Sequence, residues 1–507
     1  MNIKKALTIL SIVGLMILGI SFLFQEVTFL NAIVIDSAKV VEILEDKQEN
    51  LSLINEVTYE NYPIIYDEQD NHYYISVGES IRGNFTYNDS VVSVYYADIC
   101  DEEYVLEMIK NNETFSFLIV KGDEYQWLEC TLSSLPFVEI TADVVPVEKV
   151  EGEVGYPATI SVIDAEDAGT GRYTIKEQSI TFKIRGDTTY FMDKKSYNVD
   201  IVDEDGNRAE DSFLGMREDD DWNLLAMYSD SSRVREKVVL DLMQELSENG
   251  EESYIHAQGI EFCELFINGE YQGIYGLIEQ MDAKLVEMDD DTDQLYKYDS
   301  ELGNYYLKSG STDSDDSHYL DYRENLKYVD SIADAEALVD LNNAIDISLL
   351  KFVCALTDNS NKNRVLVNRY VNGEYIITED LYDLNYSFGD YYLDDIVRLF
   401  NTTYYGGDLI VHSHIISLLL EGSDAQEMAQ IYRQRYAVLR ETVFSTENIK
   451  ETINENMDRL ENAGAYLREF EEWDRDIDPT YEREKLMQFV DDQMEMTDWY
   501  MWDLINK

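Results

Sequence analysis

The period of the apolar residues changes part-way along the chain, and that change constrains the fold more than any other feature of the sequence. From about Tyr59 to Cys130 the apolar residues come in short runs, YYISV, VVSVYYADI, TFSFLIV and YQWLECTL, separated by Asn, Asp, Gly and Glu. Runs this rich in β-branched and aromatic side chains read as strands, and their spacing predicts a small β-sandwich over 59–130. Strands continue to about Asp200. Val234, Val238, Leu242 and Leu246 then recur at a helical interval. Strands return at Ile260–Ile267 and Tyr271–Ile278, joined by Asn268-Gly269-Glu270, in which Asn-Gly marks a hairpin. From Ile345 onward the rhythm is helical, through SDAQEMAQIYRQRYAVLRETVF and STENIKETINENMDRLENA, with Ser445 placed to cap the second helix. Strands around one helix, followed by helices, predict an α+β fold, with a helical tail over 491–507.

The N-terminus sets a second expectation. Ala6 to Phe24 carries no charge, follows Lys4 and Lys5, and is long enough to cross a bilayer as a helix. No small-x-small cleavage site closes the run, which favours an uncleaved signal-anchor over residues 1–27. Lysines before it and Glu26 after it place the bulk of the chain outside the cytoplasm. Residues 28–58 then read as a juxtamembrane helix and linker. The four cysteines, Cys100, Cys130, Cys263 and Cys354, have no metal-ligand spacing and read as free, packed thiols.

Charge narrows the partners. Against 103 Asp and Glu the chain has only 39 Lys and Arg, a formal net charge of −64. Nucleic acid, which needs a positive face to displace its counterions, is therefore excluded as a general partner. A site for a polyanion must be a local exception. The acidic stretch 284–345 reads as a variable, solvated insertion. Within it MDDDTDQLYKYDS lacks the Gly and terminal Glu of a calcium loop, because Gln294 and Ser300 hold those positions. His412 and His414, two apart on a helix, do not share a face and have no third ligand in view.

Chemistry concentrates at 357–389. TDNSNKNR, from Thr357 to Arg364, sets Asp358 and Asn363 in an Asp-x-x-x-x-Asn spacing, and YDLNYSFG, from Tyr382 to Gly389, follows a hairpin-like stretch. Phosphoryl transfer needs a carboxylate to accept the acceptor hydroxyl's proton, and an amide and a second carboxylate to hold a divalent cation. Asp358, Asn363 and Asp383 supply these in order.

These segments, taken with four others, resemble the CotH kinase family, the atypical kinases akin to spore coat protein H. SSLPFVEI (Ser133–Ile140), IRGDTTYFMDKKSYNVDI (Ile184–Ile201), DDWNLLAMYSDSSRVREKVVLDLMQEL (Asp220–Leu246) and CELFINGEYQGIYGLIEQMD (Cys263–Asp282) are similar to blocks of that family, in the same order. The resemblance implies an atypical protein-kinase-like domain of two lobes over 131–490 that transfers the γ-phosphoryl group of ATP, with Mg2+ or Mn2+, to Ser or Thr of a surface or coat protein. It implies Asp358 as the catalytic carboxylate and Asn363, Asp383 and Asn385 as metal ligands. It gives Arg185, Gly186, Thr188, Lys194, Lys195, Arg235 and Glu279 to the nucleotide, one of the two lysines facing the phosphates. The chain departs from the family at Asp187, where Asn is usual, and at Asn385, where Asp is usual. The competing reading is a kinase-like module with a structural or binding role at the cell surface or spore coat.

Overall fold

The computed structural model describes residues 28–149, 155–167, 170–186, 189–249, 254–299, 304–310, 317–359, 362–390 and 414–506. The expected anchor Ala6–Phe24, Asp187, Thr188 and His412 lie outside these residues. Among the described residues no helix is long and apolar enough to cross a membrane.

The N-terminal domain is built on an eight-stranded sheet with a separate two-stranded sheet beside it, rather than as a sandwich of comparable layers. It also begins earlier than the sequence suggests. Thr28–Phe29, Ala32–Val34 and Gln48–Glu49 are strands of the large sheet, so most of the expected linker is part of the domain. The helix within that stretch, Ser37–Leu44, is capped by Asp36, whose carboxylate accepts from Lys39 N–H. Phe85, Phe115, Phe117, Leu128 and Leu132 fill the core.

The second domain opens with a closed barrel. Phe137–Thr141, Tyr156–Asp164, Thr174–Arg185, Ser196–Ile201 and Asp221–Leu225 follow one another, and the hairpin Ile260–Ile267/Glu270–Glu279 closes the ring through the parallel pairing of its first strand with Phe137–Thr141. The hairpin turn is as the sequence predicts, with Asn268 and Gly269 both at positive φ. Alternation along these strands serves two cores. Cys263, Leu265, Tyr275 and Leu277 point into the barrel with Phe182, Val199 and Trp222. Ile260, Phe262, Ile274 and Ile278 face outward onto the helix Arg235–Asn249 and the C-terminal helices, meeting Val238, Leu242 and Leu246.

The stretch 284–345 is not a solvated insertion. Its Gln294–Asp299 and Asn304–Gly310 are two strands of a four-stranded sheet whose other members, Arg364–Val371 and Glu374–Leu381, lie between the loop of Asp358 and the turn of Asp383. Hydrophobic Leu295 and Tyr296 are fully buried, which outweighs the acidic residues that precede them. Helices Ala425–Arg440, Thr446–Asn462, Ala465–Glu472 and Pro479–Asn506 complete the domain, the last running across the expected boundary at 491. Ser445 accepts from Asn448 N–H and caps Thr446–Asn462 as expected. All four cysteines are free thiols.

Candidate active site

The ends of barrel strands Thr174–Arg185 and Ser196–Ile201 face the four-stranded sheet across a cleft of about 660 Å³. Arg185, Gly186, Lys194, Asp358, Asn363, Asp383 and Asn385 all line it, although they are spread over two hundred residues of sequence.

The loop that carries Asp358 owes its shape to a helix end. Leu341–Val353 stops at Cys354, and Ala355 turns the chain at a φ of 52°. Asn359, fully buried, donates to the carbonyls of Asn363 and Tyr382 at 3.0 and 2.9 Å, and so ties this loop to the turn that carries Asp383. Asp358 is held from both sides. Lys362 Nζ is 2.9 Å from Oδ1, and Asn363 donates to Oδ2 at 2.8 Å. Both partners fix the carboxylate's orientation.

Asp383 sits at a φ of 58°, a conformation rarely held by residues other than glycine unless the surroundings impose it. Its side chain is open to the cleft. The protein walls around it and the nearby Asp358 raise its carboxyl above the ordinary value, Arg185 opposing. Behind it lies Glu236, in the first turn of Arg235–Asn249, buried and accepting Leu384 N–H at 2.7 Å. Burial, and then the charge of Asp383, push Glu236 up to about 8. Asn385 donates to Ser229 Oγ at 3.2 Å, which leaves its buried Oδ1 without a partner.

Among the described residues no group of three or more His, Cys, Asp or Glu side chains could hold a metal ion by itself. The donors present nonetheless suit one hard dication that also binds phosphate. Such an ion takes one or two protein carboxylates and fills its remaining positions with water and phosphate oxygen. Asp383 and Glu236 repel each other when both are charged, which a cation would relieve, and Asn385 Oδ1 is an orphaned oxygen beside them.

The expected cations are distributed differently. Lys194 contributes to the wall, but its ammonium is wholly buried, 2.7 Å from Glu469, and bonded to Ile274 O. Burial holds Lys194 down at about 8, the neighbouring Glu469 opposing. Lys195 donates to the carbonyls of Tyr190 and Met192. Arg235 is locked at the helix start against Asp230 and Ser232, and Glu279 accepts the backbone N–H groups of Arg217 and Gly259 at 2.9 and 2.8 Å. These three side chains brace the lobe from outside the cleft lining. Alternation along a strand does not decide between the two lysines, since both find protein partners. Gly186 leaves no room for a side chain: at a φ of 89° a Cβ would lie 2.0 Å from Thr189 Oγ1.

Two residues of the cleft escape sequence reasoning. Glu236 is the neighbour of Arg235, and only the helix's rotation on the barrel decides that the glutamate faces the Asp383 turn. Lys297, on Gln294–Asp299, is lowered to about 8 by burial and then by the adjacent Arg185. The alternation of Leu295 and Lys297 was its signal, masked by the acidic run before it.

The family model described as CotH kinase protein matches residues 182–499, from the strand that ends in Arg185 to the last helix. The chain belongs to the CotH kinase family. No curated protein matches it. In this member the match takes in both walls of the cleft, and the N-terminal sheet domain lies outside it.

Proposed function

We propose that this CotH-family chain is a protein kinase that transfers the γ-phosphoryl group of ATP to a Ser or Thr hydroxyl of a protein, its acceptor being a Ser/Thr-rich surface or coat protein. The observation that carries the reading is the convergence on one cleft of a doubly anchored carboxylate, Asp358, with a second acidic centre made of Asp383, Glu236 and the unpartnered Asn385 oxygen. A bound Mg2+ or Mn2+ would supply charge neutralisation of the phosphates. Asp383, Glu236 and Asn385 would hold it.

Asp358 accepts the hydroxyl proton as the acceptor oxygen bonds to phosphorus, and the bond to the diphosphate oxygen breaks with its electron pair going to the leaving nucleoside diphosphate. Lys362 and Asn363 keep the Asp358 carboxylate aimed during this transfer. Positioning and electrostatics supply the rate, with no covalent intermediate. Extracytoplasmic anchoring through Ala6–Phe24 belongs to the same proposal. Asn385, uncharged where the family carries Asp, favours a second reading, a catalytically weak module with a structural or binding role in a coat.

The two readings separate on incubation of the chain from Thr28 onward with labelled ATP, Mg2+ or Mn2+ and a Ser/Thr-rich protein. Label on Ser or Thr, lost in Asp358→Asn, is the expected result. Nucleotide binding without transfer under either metal supports the second reading, and absence of both overturns the kinase.

A further inference from the structure

In so acidic a protein most cations near the site are already spoken for: Lys194 by Glu469, Lys362 by Asp358 and Lys351 by Glu379. Lys297 is different. Its strand pairs with Arg364–Val371 so that Lys297 stands opposite Val365, two residues beyond Asn363 of the catalytic segment. Leu295, on the same face, is anchored in a small core with Val365 and Val367, which fixes the strand's register. That register delivers the Lys297 ammonium to the cleft, 4.4 Å from the centre of the Tyr382 ring. Lys297 is half-buried, and among the described residues its ammonium makes no hydrogen bond or ion pair.

Arg185, on the opposite wall, is likewise half-buried, its guanidinium without a hydrogen bond or ion pair among the described residues. Two cations withdrawn from water in one cleft are costly unless something compensates them. Asp383 and Glu236 lie close enough to affect the Arg185 guanidinium, yet neither bonds to it. A second cation beside it raises the cost further. An anion with several oxygens, able to accept from both walls at once, resolves it.

We propose that Lys297 and Arg185 together form the seat of the nucleotide's phosphate chain. The phosphate-holding lysine of this chain therefore comes from the sheet that carries the Asp383 turn, and not from the Lys194-Lys195 pair of the barrel. This assignment rests on the kinase reading for its ligand, a nucleoside triphosphate. The seat itself is for polyphosphate.

Titration of the chain from Thr28 onward with ATP, adenosine and inorganic tripolyphosphate, all in Mg2+, tests it in the wild type, Lys297→Met and Lys297→Arg. Loss of one charged hydrogen-bonding group should weaken ATP and tripolyphosphate binding to Lys297→Met by roughly ten- to a hundredfold. Adenosine binding should not change, and Lys297→Arg should retain most of the affinity. Without anion, Lys297→Met should unfold at the same temperature as the wild type or higher, which a merely structural lysine would not give. Equal affinity of the wild type and Lys297→Met for both polyphosphates overturns the proposal. Lys297-dependent binding of tripolyphosphate without ATP binding upholds the seat and removes the kinase reading. Binding of neither by the wild type overturns both.

Discussion

Asp358 and Asp383 carry different burdens, and substitution separates them. Asp358→Asn keeps the shape and the contact with Asn363, so the protein should fold and bind nucleotide with metal while transfer falls roughly 10²–10⁴-fold. Unchanged single-turnover rates would remove Asp358 from its role. Asp383→Asn should instead abolish metal-dependent nucleotide binding, because it removes the one carboxylate of that turn. Asn385→Asp adds charge beside Asp383 and should lower the Mg2+ concentration needed for binding. Calorimetric titration of ATP at several Mg2+ concentrations reads both variants. A silent result in both would mean that the turn holds no metal.

At the level of elements, the barrel and the C-terminal helices are joined by buried charge. Glu469, from the helix Ala465–Glu472, meets Lys194 Nζ, Arg233 and the Ile274 N–H, the last at 2.8 Å. Gly273 makes room for it. At its φ of 92° an added Cβ would lie 1.9 Å from Glu469 Oε2. Gly273→Ala should therefore break the pair and cost about 3–5 kcal/mol, the loss expected when a buried ion pair is opened. The midpoint of urea unfolding measures it. Asp230 and Glu379 give a pH dependence of defined sign. Burial would raise both, but Arg235 beside Asp230, and Lys351 and Arg364 beside Glu379, hold both below their ordinary values of 3.8 and 4.5. Each contributes stability that is present above its unfolded value and lost as pH falls through the lower folded one. The thermal midpoint should therefore fall as acid is added below about pH 4.5, and Asp230→Asn should flatten part of that slope.

Across the whole molecule the N-terminal domain is docked, not tethered. Ile65 and Tyr74 pack with Phe137, Ile163, Phe266 and Tyr271 of the barrel. Arg468 spans the joint, paired with Glu264 at 2.8 Å while reaching Ser133 Oγ at 3.1 Å and Asn112 Oδ1 at 3.0 Å. Asp67 accepts Tyr271 N–H across the same boundary at 2.8 Å. A chain cut at Phe137 would expose this aromatic cluster and leave Arg468 short of partners. Scanning calorimetry should show a lower unfolding temperature and more aggregation for that fragment than for one beginning at Thr28. Two independent transitions in the longer chain would mean that the joint is not cooperative.

Local signals carried far in this sequence. Period-two and helical runs, the Asn268-Gly269 turn and the Ser445 cap depend on neighbouring residues alone, so these elements and their order were legible, while the strands within 28–58 and 284–345 were not. The gathering of Asp358, Asn363, Asp383 and Asn385 in one cleft was legible too, because short-range spacing places them and the family's blocks bracket them. The cation proposed to face the phosphates was not. Lys194 and Lys195 look suited to it in one dimension, yet Glu469, far along the chain, claims the first, and local carbonyls claim the second. Glu236 and Lys297 reach the cleft only through the rotation of a helix on the barrel and the register of a strand beside Arg364–Val371. The sequence by itself determined which elements form and which carboxylates are near one another in the chain. Only the tertiary structure decided which charges are neutralised by distant partners and which remain open, because a buried charge is settled by whatever packing brings within bonding distance.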